Sequence, residues 1–149
     1  MPRRALVLLF ILLACAPLGS ARDIAVVANK TATERSISLA ELVKMVKGGA
    51  KKWADGRPVV IVMKDPSSAE MKIVVQKVFG MTADEVKTLI AANRESLIVA
   101  DSDDTLIRIV GGRPGALGLV DIYSITSDVD VLKVDGKLPL QFGYVLHGN

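Results

Sequence analysis

Cysteine and histidine are nearly absent from this chain, which has one of each, Cys15 and His147. A domain beginning after residue 21 therefore contains no disulfide, thiol nucleophile or cysteine-based metal site. His147 stands two residues from the C-terminus, where fraying is expected. No Gly-x-Ser-x-Gly, Walker or zinc signature occurs, so the residues point to binding rather than catalysis, and no cofactor is expected. Aromatics make up 4% of the chain, which leaves the core to Val, Ile, Leu and Ala. Long apolar runs are also lacking. The longest, Ala5 to Ala14, falls well short of the roughly 20 residues a bilayer-spanning helix needs.

That run has a recognisable layout. Arg3 and Arg4 form a positive n-region, Pro17 breaks the apolar stretch, and Gly19-Ser20-Ala21 places small residues where a signal peptidase reads. This is the pattern of a secretory signal peptide over residues 1–21, with cleavage after Ala21. Leu12-Leu13-Ala14-Cys15 offers an alternative, a lipoprotein box in which Cys15 is acylated and the product stays membrane-anchored. The location is periplasmic or secreted on the first reading. Removing residues 1–21 leaves 128 residues, with 17 Lys+Arg against 16 Asp+Glu. The basic balance of the whole chain thus belongs partly to the leader and argues for no nucleic-acid partner.

The remainder, residues 22–149, has the length of one domain. Ile24 to Ala28 predicts a buried strand. Ser38 with Glu41 predicts a capping box, stapled by Ile37 and Leu42, ahead of the stripe Leu39, Leu42, Val43 and Val46. Gly48-Gly49 ends that helix. Val59 to Met63 predicts a second strand. Ser67 with Glu70 predicts another cap, before a face of Met71, Val74, Val75, Val78 and Phe79. Thr82 with Glu85 predicts a third, stapled by Met81 and Val86, with Leu89 and Ile90 inward. Leu97 to Ala100 follows as a strand, then a helix capped by Asp101 or Ser102 and carrying Leu106, Ile109 and Val110. Ala116 to Val120 and Val129 to Val134 complete the strands, the latter leading to an Asp135-Gly136 turn. Alternation of strands and helices predicts an α/β fold, a mixed or parallel sheet with helices on both faces.

The order of these signals resembles the phosphate-binding proteins of ABC importers, the PstS-like family. The resemblance rests on Asp23-Ile-Ala-Val-Val-Ala-Asn-Lys30, Ser38-Leu-Ala-Glu-Leu-Val43, Lys52-Trp-Ala-Asp-Gly-Arg-Pro58, Pro114-Gly-Ala-Leu-Gly118, and Val131-Leu-Lys-Val-Asp-Gly-Lys137 with Gly143-Tyr144. It implies a periplasmic-binding-protein-like fold in which two lobes close on an oxyanion. Members of that family are roughly twice this length, so the resemblance implies a single lobe here. The family carries Arg-x-Asp-Gly-Ser-Gly-Thr where this chain has Met63-Lys-Asp-Pro-Ser-Ser-Ala-Glu70. Asp65 and Ser67 match, while Met63 and Ala69 replace the Arg and the Thr.

Lys64, Ser67 and Ser68 are therefore the first candidate ligand-binding residues, at a strand end and helix start that favour an anion. Glu70 opposes this as a carboxylate able to occupy the same N–H groups, and the plain alternative is a Ser67–Glu70 capping box. Thr31, Thr33 and Arg35, in the polar loop Asn29 to Arg35, form a second set expected to converge with Ser67; the alternative is a solvated loop. The glycines of Gly111 to Gly118 suit a tight helix-to-strand turn rather than a dinucleotide site. Asp101, Asp103 and Asp104 are explained by helix-dipole compensation rather than a metal.

Two functional expectations follow. One is an exported solute-binding protein holding phosphate or another small oxyanion, with an ABC transporter as partner. The other is an envelope interaction protein that keeps the fold without the ligand and docks through Lys44 to Trp53, with its four lysines and an exposed Trp. A homodimer that rebuilds a two-walled cleft combines the two.

Overall fold

In a computed structural model, residues 22–148 are described; the expected cleavage point and Cys15 lie outside them. The strands are β1 (Ile24–Asn29), β2 (Ser36–Ile37), β3 (Val60–Met63), β4 (Leu97–Val99), β5 (Ala116–Asp121), β6 (Val129–Val131) and β7 (Lys133–Val134). The helices are α1 (Leu39–Val46), α2 (Lys72–Val74, continued by a π-helical turn Val75–Phe79), α3 (Ala83–Ala92) and α4 (Asp103–Gly112). Five strands form one mixed sheet in the order β4-β3-β5-β1-β6. β3 runs parallel to β4 and β5, whereas β1 runs antiparallel to both β5 and β6.

Both faces of this sheet are dry. Along β1, Ile24, Val26 and Ala28 join one apolar cluster with Ile61, Met63, Leu117 and Leu119, under α1, α2 and the C-terminal residues Tyr144 and Leu146. Ala25 and Val27 point the other way and pack with Val60, Val62, Ala116 and Val120 beneath Leu106, Ile107 and Val110 of α4. This is why the strands read as continuous apolar runs instead of alternating ones. The three-layer α/β class expected from the sequence is the one observed. Gly118 lets α4 lie close to the sheet: a Cβ there would stand 2.8 Å from Leu106 Cδ2 and 2.9 Å from both Val110 Cγ2 and Val27 Cγ2.

Local signals hold at most helix starts. Ser38 and Glu41 form the reciprocal capping box. Thr82 accepts the Glu85 N–H, but the Glu85 carboxylate returns to the Thr82 hydroxyl at 3.2 Å instead of to the backbone. Ser102, not Asp101, caps α4 by accepting the Thr105 N–H.

Three expectations change. The final strand divides at Leu132: β6 stays in the main sheet while β7 pairs parallel with β2. Trp53 is half-buried against the core rather than exposed, and its Nε1–H donates to the Gly115 carbonyl at 2.8 Å. Ser67 and Glu70 make no capping box, because the chain turns through residues 66–71 and the helix begins only at Lys72.

Candidate functional site

The direction of β1 decides which candidate residues meet. Ile24 lies opposite Asp121, Ala28 opposite Leu117, and Val60 pairs with Ala116. The carboxyl end of β1 is therefore at the amino ends of β3 and β5. Thr31, Thr33 and Arg35 sit at one end of the sheet, and Lys64, Ser67 and Ser68 at the other. The expected convergence of Thr31, Thr33 and Arg35 with Ser67 does not occur. A sheet is several residues long at ~3.3 Å each, so no side chain bridges the gap.

The first set has structural employment. Asn29 is buried, and its Nδ2 donates to the carbonyls of Val110 (2.9 Å) and Gly111 (3.0 Å), satisfying the end of α4. Its Oδ1 accepts from the Thr31 N–H and hydroxyl at 2.9 and 2.6 Å. The Thr31 hydroxyl in turn accepts from Arg57 at 2.7 Å. Arg35 pairs with Asp130 of the edge strand β6 at 3.2 Å. Thr33 is exposed. Asn29 was legible only as a strand terminus; its capping of a helix some eighty residues downstream has no local signal.

At the other end, β3 delivers Lys64 between two carboxylates. Its Nζ lies 2.6 Å from Glu70 Oε1 and 3.3 Å from Asp103 Oδ1. The first is a tight ion pair; the second lacks hydrogen-bond alignment, and Asp103 Oδ1 is buried with no hydrogen-bond donor among the described residues. Asp103 Oδ2 accepts from the Ser124 hydroxyl at 2.6 Å. The hydrogen bond to Glu70 is the main cause that raises the Lys64 pKa, against a smaller opposing effect of burial, so the ammonium is held charged. Asp103 thus does more than offset the dipole of α4: it ties α4 to the end of β3.

The turn after Lys64 is organised by Asp65. Its Oδ1 accepts the Ser67 N–H at 2.8 Å, and its carbonyl accepts the Ser68 N–H (2.9 Å) and hydroxyl (2.7 Å). The Ser67 N–H is the first cause that lowers the Asp65 pKa. Asx-turn chemistry has thus displaced the expected Ser67 cap. Two consequences matter for an anion. Glu70, expected to take up the N–H groups here, swings to Lys64 instead. The N–H groups of Ala69 and Glu70 then donate to no acceptor among the described residues. A hollow of about 340 Å³ opens beside Ala69, lined also by Ser67, Ser68, Lys72 and Thr82 but not by Glu70. Lys72 makes no ion pair among the described residues. The sequence reading passed over it, since a lysine just inside a helix is ordinarily a solvated surface group. Among the described residues, no cluster of acidic, histidine or cysteine side chains is placed to hold a metal.

This arrangement, a mixed sheet with helices on both faces and a polar turn at the carboxyl end of an inner strand, is that of periplasmic-binding-protein-like folds. Solved structures of similar shape include an ABC-type phosphate transport receptor from Vibrio cholerae, with TM-score 0.69 at 15% identity over 85% of this chain and 54% of that one. PstS from Borrelia burgdorferi matches with TM-score 0.68 at 18% identity, over 86% of this chain and 55% of that one. A phosphate-binding protein from Stenotrophomonas maltophilia matches with TM-score 0.64 at 16% identity, over 80% and 40%. The chain spans about half the length of the structures it matches. No protein-family model matches the sequence, and no curated protein is similar to it.

Proposed function

We propose that this chain is an exported solute-binding protein that holds a small oxyanion, phosphate or one like it, non-covalently at the turn between β3 and α2. The observation that carries the reading is the unengaged N–H of Ala69, a residue that lines a hollow at this turn together with Ser67, Ser68 and Lys72. Lys64 acts indirectly. By holding Glu70 at 2.6 Å it keeps that carboxylate off the N–H groups. Similarity of shape to phosphate-binding proteins supports the same reading. Export rests on the leader pattern of residues 1–21, and an ABC transporter is the partner such a protein would serve.

Calorimetric titration with phosphate and with sulfate tests the site. Lys72→Gln is expected to weaken phosphate binding roughly fivefold, the loss of one exposed charge-assisted contact. No heat at phosphate concentrations on the order of millimolar would overturn the proposal. A second reading, an envelope interaction protein without a ligand, is favoured by the engagement of Lys64 with two carboxylates, which leaves the site without its nearest cation. On that reading Trp53, now half-buried, is not the docking residue; the exposed apolar side chains lie elsewhere.

A further inference from the structure

Among the described residues, all the large apolar side chains left in solvent except Val99, at the end of β4, lie where the chain joins the sheet. Phe142 is 99% exposed, Leu140 75% and Tyr123 73%, with Leu138 at 37%. Arg22 and Asp23, just ahead of β1, touch both parts of this group. The Arg22 guanidinium lies over the Tyr123 ring, 5.0 Å from its centroid, and pairs with Asp121 at 3.2 Å. Asp23, buried, accepts the Leu140 N–H at 2.7 Å. The apolar loop is fastened rather than loose. Lys137 Nζ donates to the Phe142 carbonyl at 2.8 Å, and the Leu138 N–H donates to Gln141 Oε1 at 2.7 Å.

Leu140 also has φ +71, a left-handed conformation that leucine adopts at a cost. Strain kept at an outward apolar side chain is an observation that points to use rather than packing. Asp23 and Asp121 are buried, paired with His147 and Arg22 respectively; Arg22, His147 and Lys137 are exposed, as is one carboxylate, Asp135, in the turn that leads to Lys137. The sequence immediately upstream holds the apolar run Ala5 to Ala14 and Cys15.

We infer that Tyr123, Leu138, Leu140 and Phe142, rimmed by Arg22 and Lys137, form a surface that rests in the headgroup region of an anionic bilayer. The composition is that of an interfacial contact: aromatic and aliphatic tips to insert, flanked by cations for anionic headgroups. A second copy of the chain fits less well. Four such side chains offer on the order of 500 Å², short of the roughly 800 Å² per partner of a stable interface. A bilayer needs only one-sided insertion. Arg22, the first described residue, lies at this same face, so an acylated Cys15, on the lipoprotein reading, would be tethered to it. The inference is independent of anion binding at the β3–α2 turn.

The test uses residues 22–149, the product of the expected cleavage and free of cysteine, with a single reporter cysteine, Phe142→Cys, carrying an environment-sensitive dye. Vesicles of phosphatidylethanolamine and phosphatidylglycerol carry nitroxide-labelled acyl chains. Quenching is expected at position 142 and not for the dye at Asp55→Cys, at the opposite end of the sheet. Adding Leu140→Gly, which relieves the backbone strain and so preserves the fold, should lower the quenched fraction, with partitioning reduced roughly tenfold by partial loss of a buried leucine. The inference is overturned by no quenching at 142, by equal quenching at 55, or by quenching that Leu140→Gly leaves unchanged. A dye shift that follows protein concentration without lipid also overturns it, and would identify a second copy as the occupant.

Discussion

Gly115→Ala tests whether the join between the Trp53 turn and β5 is as tight as the structure has it. Gly115 has φ +87, and a Cβ added there would stand 2.4 Å from the Pro58 carbonyl oxygen and 3.4 Å from Arg57 Cβ. Forcing alanine into the left-handed region costs about 1–2 kcal/mol. The overlap with Pro58 is with backbone, which cannot rotate away, so the residue 51–58 segment must shift. That movement weakens the bond from Trp53 Nε1 to the Gly115 carbonyl, 2.8 Å in length, for about another 1 kcal/mol.

Together the loss is roughly 2–3 kcal/mol, a large share of the 5–15 kcal/mol that stabilises a typical domain. For a domain of this size it corresponds to a fall in Tm of roughly 10 °C. Urea denaturation followed by tryptophan emission measures it directly, because Trp53 is the sole tryptophan. Gly118→Ala is a comparison of a different kind: its φ is not in the left-handed region, but its Cβ would meet the buried Leu106, Val110 and Val27 at 2.8–2.9 Å, an overpacking expected to cost about 1–3 kcal/mol. A cost below about 1 kcal/mol for Gly115→Ala would refute the reasoning.

Two further outcomes follow from the charged and buried polar groups. Lys64→Met leaves Glu70 and Asp103 without their cation and is expected to cost about 1–3 kcal/mol at neutral pH. Because pairing raises the Lys64 pKa above 10.5, its contribution is complete below 10.5 and disappears only as pH rises through the higher folded value. The difference between wild type and Lys64→Met in chemical denaturation should therefore stay flat through neutral pH and shrink only in strong alkali. Tyr144 is buried and donates to the Ile24 carbonyl at 2.8 Å, and burial raises its pKa from 10.0. Its stabilising contribution is full below pH 10 and lost at higher pH, as the unfolded phenol ionises first. Tyr144→Phe should cost about 1 kcal/mol near neutrality and flatten the alkaline decline; an unchanged slope above pH 10 would assign that decline to other groups.

The charge arrangement at the β3 end separates two roles that a linear reading merges. Lys64 stands where a cation for an anion would be sought, yet it is committed to Glu70 and Asp103. The turn that follows takes its shape from Asp65, whose exposed carboxylate accepts the Ser67 N–H and whose carbonyl accepts the Ser68 N–H and hydroxyl. On the proposed reading an anion placed there would be held by the Ala69 N–H, the Ser67 hydroxyl and Lys72 rather than by Lys64.

Local chemistry was enough for the parts that depend on neighbours in sequence. The Ser38–Glu41 box, the Leu42 and Val46 stripe and the Asp135-Gly136 turn are written in residues a few positions apart, the strands β1, β3 and β5 in continuous apolar runs, and each appears as expected. Errors arose where one local option competed with another. Asp65 lies two residues before Ser67 and offered its N–H a better acceptor than a capping arrangement with Glu70, and Lys64 drew the Glu70 carboxylate away. Asn29 was hidden for a different reason: its partners Val110 and Gly111 lie on α4, far along the chain.

Apolar periodicity and the turn residues determined that this chain builds an α/β sheet covered on both sides, since burying such strands leaves no other economical packing. Strand direction was a tertiary matter. Every backbone group of β1 can be satisfied in either orientation, so its antiparallel run against β5 depends on how the whole sheet assembles. That one choice put Thr31, Thr33 and Arg35 at the opposite end from Lys64, Ser67 and Ser68. It also brought the start of β1, with Arg22 and Asp23, beside Tyr123 and Leu140.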